Sequence, residues 1–194
     1  MIIGITGSIG SGKTTVSRIF NRHGFEAINA DEIGHEVIKK GSVAYKKIIK
    51  DFGGLILDKS RNIDRKKLGD IVFQDKLKLK KLNSITHPEI HGDIKKRILE
   101  FKNQGRNAAV DAPLLFESKM QSLFDNIIVV VADERVILKR LHEKYPVQKI
   151  KKILKSQMPA KNKMQKADFV IKNNADLKIL ESQVIGIIKK ITIT

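Results

Sequence analysis

The stretch that decides the fold reads Ile2-Ile3-Gly4-Ile5-Thr6-Gly7-Ser8-Ile9-Gly10-Ser11-Gly12-Lys13-Thr14. Ile2 to Thr6 is a short apolar run, which predicts a buried strand. Gly7 to Thr14 matches G-x-x-x-x-G-K-[ST] at every fixed position. After it, Val16, Ile19 and Phe20 recur at helical spacing, and His23-Gly24 ends that helix. The motif therefore lies between a strand and a helix N-terminus, where a phosphate-binding loop (P-loop) must lie to work. Glycines let the backbone bring its N–H groups close to phosphate oxygens. The helix start adds unpaired N–H groups and the positive end of its dipole. Gly10, Ser11, Gly12, Lys13, Thr14 and Thr15 form the candidate nucleotide-binding set. Lys13 is expected on the β- and γ-phosphates and the Thr14 hydroxyl on Mg²⁺. The Thr15 hydroxyl either meets the α-phosphate or faces the helix surface.

A P-loop specifies a nucleoside triphosphate, not a reaction. Phe25 to Asn29 reads as a second strand, and Asp31 follows just beyond it. Ligands in doubly wound sheets collect outside the C-terminal strand ends, so a carboxylate there can orient an acceptor hydroxyl and take its proton. Asp31 reads equally well as the N-cap of a helix from Glu32 to Lys40. Residues 33–104 read as helices. Asp64 is a candidate cap, and Pro88 begins a long helix that stops near Gly105. Asn107 to Val110 is a strand ending at Asp111, the Walker-B pattern in which a carboxylate supports Mg²⁺, directly or through water. The run Pro113-Leu114-Leu115-Phe116 packs the core or walls the acceptor site. Asn126 to Val131 is a further buried strand, and Asp133 is expected to cap a helix from Glu134 to Lys144. With Val147 to Gln157 this helix forms a candidate basic lid. Arg140 is its candidate charge on the transferring phosphoryl group, and Lys161 and Lys163 are weaker lid cations. Phe169-Val170-Ile171 closes the sheet. Asn173-Asn174 after it marks either an adenine-side position or a turn, and Asp176 caps a last helix.

The chain has 194 residues, 41% of them hydrophobic, enough for a real core. It has no cysteine, which excludes disulfides and thiolate metal sites and fits a reducing cytoplasm. No apolar run reaches the roughly 18 residues of a membrane span, and no basic segment precedes the first apolar stretch, so no signal peptide is expected. The net charge is +17, from 30 Lys and 8 Arg against 21 acidic residues. These cations spread along amphipathic helices, and aromatics are only 5% of residues. No stacking platform for bases emerges, and nucleic acid is not an expected partner. A positive surface instead attracts anionic small molecules.

Thr6 to Thr15, Ala30-Asp31, Gly41-Ser42, Phe52-Gly53 and Asp64-Arg65 with Leu68 all match one family. So do Val72-Phe73, Leu82-Asn83, His87-Pro88, Asp111-Ala112-Pro113-Leu114-Leu115-Phe116-Glu117, Leu138-Lys139-Arg140, Gln157, and Ala167 to Ile171 with Asn173-Asn174. In this order, over nearly the whole chain, they resemble the dephospho-coenzyme A kinases. The resemblance implies an α/β fold, a P-loop NTPase-type three-layer sandwich with a parallel sheet core. It implies a nucleotide-binding core at 1–32, 105–132 and 164–194, a helical acceptor region at 33–104 and a lid at 133–163. It implies ATP and Mg²⁺ as cofactors, with dephospho-coenzyme A accepting a phosphoryl group on its ribose 3′-hydroxyl. Asp31 then matches the catalytic carboxylate, acting with Lys13 and Arg140. Arg65, His87 and Leu114 fall on the acceptor side, and Asn174 on the nucleotide side. A monomer or weak homo-oligomer, in the cytoplasm, is expected. Two departures stand out. Asn29 replaces the first Asp of the family's D-A-D, and Ala160 stands where relatives carry a basic residue. Two other classes compete: another small-molecule P-loop kinase, separable by acceptor screening, and a nucleotide-dependent RNA binder, separable by salt-sensitive RNA affinity.

Overall fold

β1, Ile2–Gly7, is buried along its whole length because helices cover both faces of the sheet it centres. The computed structural model describes residues 1–192. Among these, α1 (Lys13–Arg22) leads to β2 (Phe25–Asn29). Then come α2 (Ala30–Val37), α3 (Val43–Phe52), α4 (Arg65–Val72) and α5 (Lys76–Asn103). β3 (Asn107–Asp111), β4 (Asn126–Val131), α6 (Glu134–Leu141), α7 (Val147–Ser156), α8 (Ala160–Met164), β5 (Phe169–Lys172) and α9 (Leu177–Thr192) complete the order. The five strands lie in the order β2-β3-β1-β4-β5, with every pairing parallel. The chain leaves β1 toward one side of the sheet and later returns to its other side. The C-terminal end of β1 is therefore the topological switch point where ligands bind in such sheets.

The chain forms two compact units, residues 1–29 with 98–194, and residues 30–97. In the first, Val16, Ile19 and Phe20 of α1 pack with Leu180, Val184, Ile187 and Ile191 of α9 against Ile3, Ile5, Ile128 and Val130. Phe20 meets Phe25 edge-on at 5.0 Å, a contact worth about 1 kcal/mol beyond burial. Gly4 lets the turn after β3 close onto β1, since a Cβ there would lie 2.7 Å from the Leu115 side chain.

The second unit has its own core of Ala44, Tyr45, Ile48, Ile56, Ile63, Leu68, Val72 and Ile85. Side-chain caps set its helix starts. Ser42 Oγ accepts from the Tyr45 N–H at 3.0 Å. Asp64 Oδ1 accepts from Lys66 and Lys67, as expected, and Asp75 Oδ1 from Leu77 and Lys78. Each such cap is worth about 1 kcal/mol.

Three local expectations are corrected. Pro88 does not begin a helix; it lies inside the 28-residue α5. Its ring removes one N–H from the ladder, a cost of about 3 kcal/mol. The Asp75 cap and the burial of Ile85, Ile94 and Ile98 on both sides keep the helix whole. Asp31 is not the residue before a helix, because α2 starts at Ala30 and Asp31 sits in its first turn. Asp133 occupies the N-cap position of α6 without a side-chain bond. Its backbone N–H donates instead to Asn174 Oδ1 at 2.8 Å.

Candidate active site

The loop after β1 is shaped by positive backbone angles at Gly10 (φ 72°) and Gly12 (φ 100°). At Gly12 there is also no room, because a Cβ would lie 2.0 Å from Asn173 Nδ2. α1 begins at the next residue, so the first N–H groups of the helix face the loop. The Lys13 side chain folds back over it and donates to the Ser8 carbonyl at 3.1 Å, with 8% of the residue exposed. Thr14 Oγ1 donates to Asp111 Oδ2 at 2.9 Å. The motif on β1 and the carboxylate at the end of β3, nearly a hundred residues apart in sequence, meet because the two strands are neighbours. Asn29 ends β2 in register with Asp111, so the residue on the neighbouring strand end is an amide and not a second carboxylate.

The carbonyl side of the loop is held by residues from the far end of the chain. Arg140 of α6 donates from Nη1 to the carbonyls of Gly10 (3.3 Å) and Ser11 (3.4 Å), and from Nη2 to the carbonyl of Asn173 (3.0 Å) and its Oδ1 (3.2 Å). Asn173 Nδ2 donates to the Ser11 carbonyl at 2.8 Å, and Gln157 Oε1 accepts from the Ile9 N–H at 3.1 Å. Sequence reasoning placed Asn174 on the nucleotide side. In the structure it is the buried Asn173 that reaches the loop, while Asn174 binds the backbone of Asp133. The available signal was topological: β5 lies two strands from β1, so the first residue after it comes level with the loop. Thr15 follows Thr14, half-buried. Leu114 is half-buried in the turn after β3, its carbonyl accepting from the Ser118 N–H. Lys163, read above as a lid cation, is fully buried and ion-paired with Glu117 at 3.0 Å.

Within the helical unit, Asp31 is exposed in the first turn of α2. Arg65, the first residue of α4, is exposed and contacts His35 of α2. His87 lies on α5 with its ring stacked over that of His91, centroids 6.1 Å apart. Burial, and then the neighbouring His91, push the His87 imidazole below its ordinary pKa, and burial does the same to His91. Both rings are thereby held toward the neutral form.

Thr14 and Asp111 present hard oxygen donors beside the helix N-terminus. This set suits Mg²⁺, which is held by one or two protein oxygens together with substrate phosphates and water. Among the described residues no three His, Asp or Glu side chains gather into an all-protein metal cage, and none is needed for such a site.

A glycine loop between β1 and α1, a lysine over it and a strand-end carboxylate on its threonine define a P-loop nucleotide-binding protein with a kinase-type fold. The structure of shikimate kinase from Aquifex aeolicus has the same fold, with TM-score 0.55 at 16% identity over 99% of this chain and 96% of that one. The dephospho-CoA kinase family model matches residues 1–178. A dephospho-CoA kinase from Carboxydothermus hydrogenoformans is 44% identical over 97% of this chain and 93% of its own. One from Fusobacterium nucleatum is 44% identical over 95% of each. The structure of dephospho-CoA kinase from Campylobacter jejuni superposes with TM-score 0.73 at 32% identity, covering 98% of this chain and 96% of that one. The chain belongs to the dephospho-CoA kinase family. No helix among the described residues is long and apolar enough to cross a membrane.

Proposed function

We propose that the chain transfers the γ-phosphoryl group of ATP to the ribose 3′-hydroxyl of dephospho-coenzyme A, giving coenzyme A and ADP. The observation that carries this reading is the convergence of Lys13, Thr14 and Asp111 at the C-terminal end of β1 in a chain of this family. The loop N–H groups and Lys13 bind the phosphates and draw charge from the transferring group. Lys13 exchanges its Ser8 contact for phosphate oxygens. Thr14, and Asp111 directly or through water, would hold Mg²⁺, which would supply charge neutralisation on the phosphate tail. Arg140 braces the loop through its carbonyls and adds positive charge beside it. Asp31 orients the 3′-hydroxyl and accepts its proton as the oxygen–phosphorus bond forms and the bond to ADP breaks. Most of the rate comes from alignment and charge stabilisation.

In this reading residues 33–104, with Arg65 and His87, hold the acceptor, and Leu114 forms part of its wall. Residues 133–163 act as the lid over a core of residues 1–32, 105–132 and 164–194, which includes Asn174. The exposed lysines attract the anionic substrates and have no nucleic-acid partner. The enzyme works in the cytoplasm as a monomer or weak homo-oligomer. The test is Asp31→Ala. Its kcat falls by about a hundredfold or more, while the ATP dissociation constant, measured by titration, stays near that of the parent. Near-parental turnover refutes Asp31 as the base.

A further inference from the structure

Lys163 is the one charged residue among the described residues with no exposed surface at all, and no step above uses it. Its Nζ donates to the Pro113 carbonyl at 2.8 Å and pairs with Glu117 Oε1 at 3.0 Å. Glu117 Oε1 also accepts from the Met158 N–H at 2.8 Å. The Pro113 carbonyl takes a second donor, Thr6 Oγ1 of β1, at 3.1 Å. Next to Met158, Gln157 accepts from the Ile9 N–H of the P-loop. Three segments are thus clasped at one point: the strand entering the P-loop, the turn that follows Asp111, and the stretch joining α7 to α8.

Stability is a poor reason for such a pair. Taking two charges out of water offsets most of their attraction, and an apolar pair of similar volume often serves a fold as well. What a buried pair with directed hydrogen bonds supplies is a fixed geometry. Here the fixed atom is the carbonyl of Pro113, two residues beyond the carboxylate that holds Thr14.

We infer that Lys163 and Glu117 are positioning residues for phosphoryl transfer: their buried pair fixes the Asp111–Glu117 turn at the depth relative to the P-loop that aligns Asp111 and Thr14. The inference rests on the reading of Asp111 and Thr14 as the Mg²⁺-side pair. A displacement near 1 Å in such a site costs about a hundredfold in rate, so even partial release of the turn registers in kcat. Binding of ATP depends chiefly on the loop and Lys13, and registers little.

The test is the full chain carrying Lys163→Met with Glu117→Gln. This pair removes both charges together and keeps an oxygen for the Met158 N–H. The melting temperature stays close to the parent, kcat with saturating ATP and dephospho-coenzyme A falls about tenfold or more, and the KM for ATP moves less than about threefold. A folded double variant with parental kcat overturns the inference. Thr6→Val decides the matter even if the double variant does not fold. It takes the other donor from the same carbonyl and leaves the buried pair intact. A lower kcat with unchanged KM for ATP supports the inference, and parental kcat overturns it. Asp111→Asn, run alongside, separates the two levels. If it is inactive while the other variants turn over normally, only the positioning role is lost. If it is fully active, the Mg²⁺-side reading falls and takes the positioning role with it.

Discussion

Lys13 and Asp111 are 8% and 5% exposed, each fixed by a hydrogen bond inside the sheet unit, whereas Asp31 and Arg65 stand at the surface of the helical unit. The sheet unit fixes its charges through contacts of its own. Its lysine, threonine and carboxylate are positioned by neighbouring strands, and its loop is braced from behind by Arg140, Asn173 and Gln157. Such a site loses little by reorganising when charge develops on the phosphoryl group. The helical unit has a packed core and well-capped helices, but its candidate acceptor groups lie outside that core. The contrast is between residues fixed among neighbouring strands and residues placed at the ends and faces of exposed helices.

Variants in the two units should therefore behave differently, and the largest effect belongs to the sheet unit. Lys13→Ala lowers kcat about a thousandfold, measured by coupled ADP release; an active variant would break the contrast at its root. Gly12→Ala comes next. The backbone angle and the 2.0 Å approach to Asn173 Nδ2 leave no place for the methyl group. We expect weaker ATP binding by more than about tenfold together with a lower melting temperature, a double penalty that strain at a special backbone position produces. Arg65→Ala, in the helical unit, raises the KM for dephospho-coenzyme A about tenfold, in line with the loss of one charged contact, and leaves the KM for ATP unchanged. A matching change in both constants would erase the distinction between the units.

The smallest effect is a pH dependence of stability. The folded-state pKa values of His87 and His91 lie below the ordinary histidine value. Their contribution is fully present above about pH 6.5 and is lost as the pH falls through the lower folded values, because the unfolded chain then binds protons first. The melting temperature should fall from about pH 7 to about pH 5, and His87→Gln should flatten that slope. An unchanged slope in the variant would assign the acid sensitivity elsewhere.

Legibility followed the same division. The P-loop, its strand and its helix were readable because their signal is local: glycines at fixed offsets, then a helical period. Asp111 was readable because a short apolar strand ended on it. The contacts of Asn173, Gln157 and the Lys163–Glu117 pair were not, since their partners lie 33 to 162 residues away and a lysine carries no sign in sequence that it will be buried. The Asn173-Asn174 pair was legible at a strand end, but which of the two side chains reaches the P-loop was not, because one residue of register decides it. The caps at Asp64 in the helical unit and at Asp176 in the sheet unit were legible from residue type. The continuous α5 was not, because tertiary packing around Ile85 and Ile94 outweighs what Pro88 says locally.

Transfer to dephospho-coenzyme A is measured by incubating the purified chain with ATP, Mg²⁺ and dephospho-coenzyme A, beside a panel of nucleosides and nucleotides, and weighing the products by mass spectrometry. The expected product is dephospho-coenzyme A with one added phosphate, placed on the ribose 3′-oxygen by fragmentation, with one ADP formed per product. Phosphate on a nucleoside with none on dephospho-coenzyme A, or ATP turnover with no phosphorylated acceptor, would contradict it.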